Sequence, residues 1–153
     1  MHDLVWPIDR KPKMWTKLGS FGANRSNGTR KHQGIDLAAP KSCSVYSMCD
    51  GIITYDQGWS GPNTKAVLVY NEEFDITFVY GAVAPKSYPK RGTVVKKGEK
   101  IAEIGVYPKG STMLHLEVWK GKLKPPRTIW RKDKPENNID PADYLLKILS
   151  TTL

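Results

Sequence analysis

Turn-forming residues come so often in this chain that no long element fits between them. Thirteen glycines and eleven prolines among 153 residues, together with Asn and Asp, cut the middle into short runs rich in Val, Ile, Thr and aromatic residues. Helical periodicity is missing until the last fifteen or so positions. The pattern predicts an all-β fold, a small antiparallel sheet or sandwich with strands over 45–48, 51–55, 66–70, 76–80, 100–104 and 113–119. Asp50-Gly51 marks a turn, 58–63 a loop, 71–75 a hairpin connection, and Lys97-Gly98-Glu99 a second turn. Asp140-Pro141-Ala142 has the form of a helix start before the amphipathic run 144–149, so one short C-terminal helix should dock on the sheet.

With 39% hydrophobic and 25% charged residues, the whole chain, 1–153, reads as one domain with a single core. Two cysteines, Cys43 and Cys49, are too few for a disulfide scaffold and lack CxxC spacing. On one extended strand they would stand roughly 20 Å apart, against the roughly 4.4–6.8 Å a bridge needs, so a mutual disulfide requires a turn between them. Two buried or partly buried thiols are expected. The start, MHDLVWPIDRKPK, carries an acid and only a brief apolar run, unlike a signal peptide, and no later stretch approaches a membrane span. Synthesis in a cytosol is the expectation.

Twenty-four Lys and Arg against fifteen Asp and Glu give a net charge of +9, which points to an anionic partner without naming it. Much of it lies in a Pro-containing arm, 120–134, expected to be exposed and remote from the site. Its Lys120, Lys122, Lys124, Arg127, Trp130, Arg131, Lys132 and Lys134 are candidates for contact with another chain or an anionic polymer. No helix-turn-helix, RNP-type motif or zinc finger accompanies the charge, so nucleic acid rests on charge and tryptophans alone.

Histidine is scarce: His2, His32 and His115. Lys31-His32-Gln33-Gly34-Ile35-Asp36 places an imidazole and a carboxylate four residues apart around a glycine. On a strand over 113–119, Met113, His115 and Glu117 share one face while Leu114, Leu116 and Val118 take the other. Two imidazoles and one carboxylate suit tetrahedral zinc with a position open for water.

These motifs and their order resemble the lysostaphin/LytM-type zinc endopeptidases. Val5-Trp6-Pro7 and Phe21-Gly22-Ala23-Asn24-Arg25 look like the family's upstream elements, 31–55 like its H-x-G-x-D opening and following strand, and 94–105 like its V-x-x-G segment. Met113 to Val118 looks like the H-x-H-x-E-V strand, and 139–145 like the closing D-P-x-x-Y-L. The resemblance implies the duplicated hybrid motif fold, with Zn2+ in an open groove held by His32, Asp36 and His115. Asn24, Arg25, Tyr80 and Tyr107 are candidate groove residues.

Active members carry two further histidines, and here Ala82 and Met113 stand at those positions. Neither can exchange a proton or donate to an oxyanion, losses that each cost roughly 10²–10⁴ in rate. His2 could fill one role only if the N-terminus folded back over the groove. The chain is also similar to leukocyte-derived chemotaxin, a vertebrate relative that departs from the catalytic pattern and acts through binding. The expectation is a zinc-binding, catalytically inactive structural or binding module, with peptidoglycan peptide or another protein chain as partner and a phage tail (virion) as one setting. The alternatives are an active endopeptidase using Tyr80 or Tyr107, and a polyanion-binding protein.

Overall fold

A computed structural model describes residues 4–9, 19–58, 63–86, 88–125 and 127–151. Within these residues the turn-punctuated runs form eleven strands and one α-helix: β1 Asn24–Arg25, β2 Arg30–Lys31, β3 Ile35–Ala38, β4 Ser44–Tyr46, β5 Gly51–Tyr55, β6 Lys65–Asn71, β7 Ile76–Val83, β8 Val94–Val95, β9 Lys100–Glu103, β10 Met113–Lys120, β11 Asn138–Ile139 and α1 Ala142–Thr151. Every strand pairing among them is antiparallel. The main sheet runs β11-β10-β7-β6-β5-β8, with β3 beside the first half of β10 and β11 beside its second half. The pairs β1-β2 and β4-β9 are separate.

The expected turns fall where chain reversals are needed. Residues 72–75 join β6 to β7, with Asp75 in the left-handed region and Asn71 Oδ1 accepting from Phe74 N at 2.9 Å. Gly98, at φ +82°, sits in the turn between β8 and β9. The expected loop 58–63 is described only at its ends, because 59–62 lie outside the described residues.

Strand alternation sorts the side chains. Leu114, Leu116 and Val118 of β10 join Val67, Val69, Phe78 and Tyr80 in the main core. On the opposite face Ala66, Leu68, Val79 and Trp119 form a smaller cluster. The central strand β7 is buried along its whole length because both faces are covered. At Ala82, φ is +63°, and the inward set shifts from Phe78 and Tyr80 to Val83. Helix α1 begins as expected, with Asp140 Oδ1 accepting from Ala142 N at 2.9 Å. It buries Leu145 and Ile148 in the core and sets Tyr144 edge-on to Phe78 at 6.1 Å.

Both thiols are free, Cys43 half-buried and Cys49 buried. Burial and nearby Asp50 push the Cys49 thiol up to about 12. Among the described residues no helix is long and apolar enough to cross a membrane.

Candidate metal centre

Backbone register assembles the site. In the β3–β10 ladder Asp36 is the direct partner of His115, so the two side chains leave the sheet side by side on the face opposite the main core. Reaching that register requires Gly34. A Cβ there would lie 2.1 Å from the Leu116 carbonyl oxygen, so only glycine lets the segment between the two ligands close on β10. His32, four residues before Asp36, is then carried over the same spot. Gln33 anchors the segment: its Nε2 donates to Thr128 O at 2.7 Å, and buried Asn138 donates from Nδ2 to Gln33 O at 3.0 Å.

Three donor atoms converge. Asp36 Oδ1 is 2.9 Å from His115 Nδ1 and 3.2 Å from His32 Nε2, and the two nitrogens are 3.1 Å apart. Tetrahedral zinc with bonds of about 2.0–2.2 Å separates its ligand atoms by roughly 3.3–3.6 Å. Displacements of a few tenths of an ångström would therefore admit the cation.

The far side of each ring is also fixed. His32 Nδ1 bonds Ser20 O at 3.0 Å, and His115 Nε2 bonds Glu117 Oε2 at 2.7 Å. Each imidazole thus has a partner for its outer nitrogen, and loss of the inner proton would leave a lone pair directed at the same spot as Asp36 Oδ1, which is how surrounding groups orient metal ligands. The residues fit a divalent cation of the zinc type.

Charge is dense here. Burial pushes His115 down, but hydrogen bonds to Asp36 and Glu117 outweigh it and hold the imidazole up at about 9. Burial likewise opposes ionisation of Asp36, yet His115 and His32 keep its carboxyl well below the ordinary range. Glu117, with no exposed surface, is pushed up by burial and brought down further by His115, Arg127 and the Trp119 indole N–H, which donates at 2.8 Å. Arg127 Nε lies 3.1 Å from Glu117 Oε2 as an ion pair rather than an aligned hydrogen bond.

A cavity of about 250 Å³ opens beside the three ligands, lined also by Arg25, Arg30, Tyr107, Met113 and Arg127. Of the candidate groove residues, Arg25 and Tyr107 are there. Asn24 does not line it; its Oδ1 accepts from Lys31 Nζ at the surface. Tyr80 is a correction: it lies fully buried in the main core, where its hydroxyl accepts from Met48 N at 2.8 Å, and burial followed by the neighbouring Cys49 raises its pKa well above 10. Its place in the inward alternation of β7 keeps it out of the groove. Met113 is at the site, whereas Ala82 is buried at the bend in β7. His2 lies outside the described residues.

The arm also differs from expectation, because it is neither uniformly exposed nor remote. Lys31 N donates to Trp130 O at 2.7 Å, Trp130 packs on Phe21 at 5.1 Å, and Arg127 enters the groove. Lys120, Lys122, Lys124, Arg131, Lys132 and Lys134 remain exposed, with Lys122 over the Tyr70 ring and Lys134 Nζ donating to Asn138 O. Sequence reasoning missed Arg30 and placed Arg127 wrongly. The H-x-E spacing on an alternating strand was the signal for Glu117; no local signal marked the arginines, which chain reversal brings in.

The profile of peptidase family M23 matches residues 30–127. The murein hydrolase activator NlpD of Salmonella typhimurium is 27% identical over 119 residues, 76% of this chain and 28% of that protein. This chain therefore spans little more than a quarter of such curated relatives. Among solved structures, CbpA from L. salivarius REN superposes with a TM-score of 0.71 at 18% identity, covering 98% of this chain and 99% of that one. Lysostaphin from Staphylococcus simulans gives 0.63 for its catalytic domain at 17% identity, covering 83% and 89%. A zinc containing peptidase from Vibrio cholerae gives 0.60 at 25% identity, covering 76% and 36%. The fold is that of LytM and lysostaphin, the matched segment contains all three converging donors, and the chain belongs to peptidase family M23.

Proposed function

We propose that this chain is a zinc-binding M23 domain that has lost peptidase catalysis and works as a peptide-binding or structural module. The observation that carries the reading is a contrast within one groove: His32, Asp36 and His115 converge with their outer nitrogens fixed, while Met113 beside them offers no proton donor. His32, Asp36 and His115 would hold the cation, which would tie this segment to β10 and supply Lewis-acid polarisation of a bound water or carbonyl.

The protein's own residues hold and orient. Ser20 O and Glu117 fix the imidazoles, and Arg127 balances Glu117. The family's second histidine position is equally empty of proton chemistry, since Ala82 carries only a methyl group. Tyr107 is the polar alternative lining the groove. The relatedness to peptidoglycan hydrolases and to NlpD activators supports a peptidoglycan peptide or a protein that acts on it as partner.

Purified protein incubated with peptidoglycan and with a Gly-rich peptide, with and without chelator, decides the matter of catalysis. Release of no new amino groups in either condition is expected. Chelator-sensitive cleavage would sink the inactive reading, leaving an active endopeptidase. The double replacement Ala82→His and Met113→His then separates missing groups from a closed groove.

A further inference from the structure

The groove has a second wall, and it is cationic. Arg25 and Arg30 are direct partners in the β1–β2 pair. Arg127 arrives from the arm, and the three guanidiniums share the cavity of about 250 Å³ beside His32 and His115. Arg25 Nη2 is 3.3 Å from Asp36 Oδ2, and Arg127 is paired with Glu117. Both carboxylates are also engaged by imidazoles. Among the described residues no carboxylate pairs with Arg30.

This arrangement is one that folding by itself disfavours. Like charges opposite each other on an antiparallel pair are destabilising. Three guanidiniums face two carboxylates, and a divalent cation among the ligands would widen the excess. Local rules are broken in this way where a binding site needs them broken.

We infer that this wall is a carboxylate-recognition subsite: Arg30, flanked by Arg25 and Arg127, takes the free carboxylate of a short acidic peptide lying beside His32 and His115. The inference rests on the peptide-groove reading above and narrows the ligand to an anionic one. A guanidinium fork matches a carboxylate bidentately, which exposed lysines such as Lys122 and Lys124 cannot do. The cavity is below the usual size for a drug-sized ligand, so it suits one or two residues rather than a polymer. Tyr107 adds a hydroxyl to the lining.

Titration calorimetry of the full chain, zinc-loaded and chelated, tests this with acetyl-pentaglycine amide, acetyl-pentaglycine with its free carboxylate, acetyl-Gly-Gly-Glu-Gly-Gly amide and inorganic phosphate. Both carboxylate peptides should bind about tenfold or more tightly than the neutral amide, with an advantage that shrinks in high salt. Arg30→Gln should abolish that advantage, while Arg30→Lys restores part of it.

Equal affinity for the three peptides, or an undiminished preference in Arg30→Gln, overturns the inference. Phosphate binding more tightly than either acidic peptide assigns the wall to a phosphate and overturns the peptide. If Arg30→Gln does not fold, the wild-type preference and Arg30→Lys decide. The underlying reading fails separately. Absence of zinc with an intact Arg30-dependent preference removes the metal and keeps the subsite, and cleavage of the neutral peptide removes the inactive module and keeps the preference.

Discussion

At His115 the two ring nitrogens have separate duties, Nδ1 toward Asp36 and Nε2 toward Glu117. On the proposed reading, Glu117→Gln should weaken zinc binding roughly 10–100-fold, as removal of such an orienting partner does; unchanged affinity in chelator competition would remove Glu117 from that role. Without metal, an imidazole raised from 6.5 to about 9 contributes stability that is fully present below pH 6.5 and lost as pH rises through about 9. The Tm of chelated protein should therefore fall across that window, and a rising Tm would contradict it. Zinc binding near pH 7.5 should release protons, measurable by calorimetry in buffers of different ionisation enthalpy. At Cys49, pushed up to about 12 and buried, a thiol reagent should react far more slowly than at half-exposed Cys43. Equal rates would show that the core opens there.

Gly34 works at the level of an element, since it sets how closely the ligand segment approaches β10. Gly34→Ala places a Cβ against the Leu116 carbonyl oxygen and should cost about 1–3 kcal/mol, lowering Tm and metal affinity together. Gly58→Ala, with open space around it, is the control and should stay within about 0.5 kcal/mol. If the two variants melt alike, the close approach is not what holds the register. Elements with their own pattern were legible before any coordinates: Ile76, Phe78 and Tyr80 alternate, and Asp140-Pro141 announces α1. The strands β1, β2, β8 and β11 have two residues each and exist only as partners of other segments, so no local period could reveal them. The arm misled for a related reason. Its Pro-Pro pair and basic residues suit a solvated loop, but Gln33 and Lys31 bind its carbonyl oxygens and fold it against the groove.

For the molecule as a whole, a ligand that binds only the folded state raises stability by mass action. Zinc at a hundredfold excess over its Kd should add about 2.7 kcal/mol, roughly 5–11 °C in Tm for a chain of this size. The gain should vanish at pH 5, where the imidazole ligands compete with protons. A Tm indifferent to zinc at pH 7.5 would count against the metal centre. Part of the +9 charge is sorted by the fold, with exposed lysines on the arm and three arginines at the groove. By itself the sequence determined the all-β class and the terminal helix, because alternation and turn chemistry are properties of neighbouring residues, while the three donor candidates and the two positions without histidine came from its resemblance to a family. Only the tertiary structure decided that Tyr80 belongs to the core, that Glu117 bonds the outer nitrogen of His115, and that Arg25, Arg30 and Arg127 meet at one wall, because those outcomes depend on the facing of strands and on segments about a hundred residues apart being brought into register.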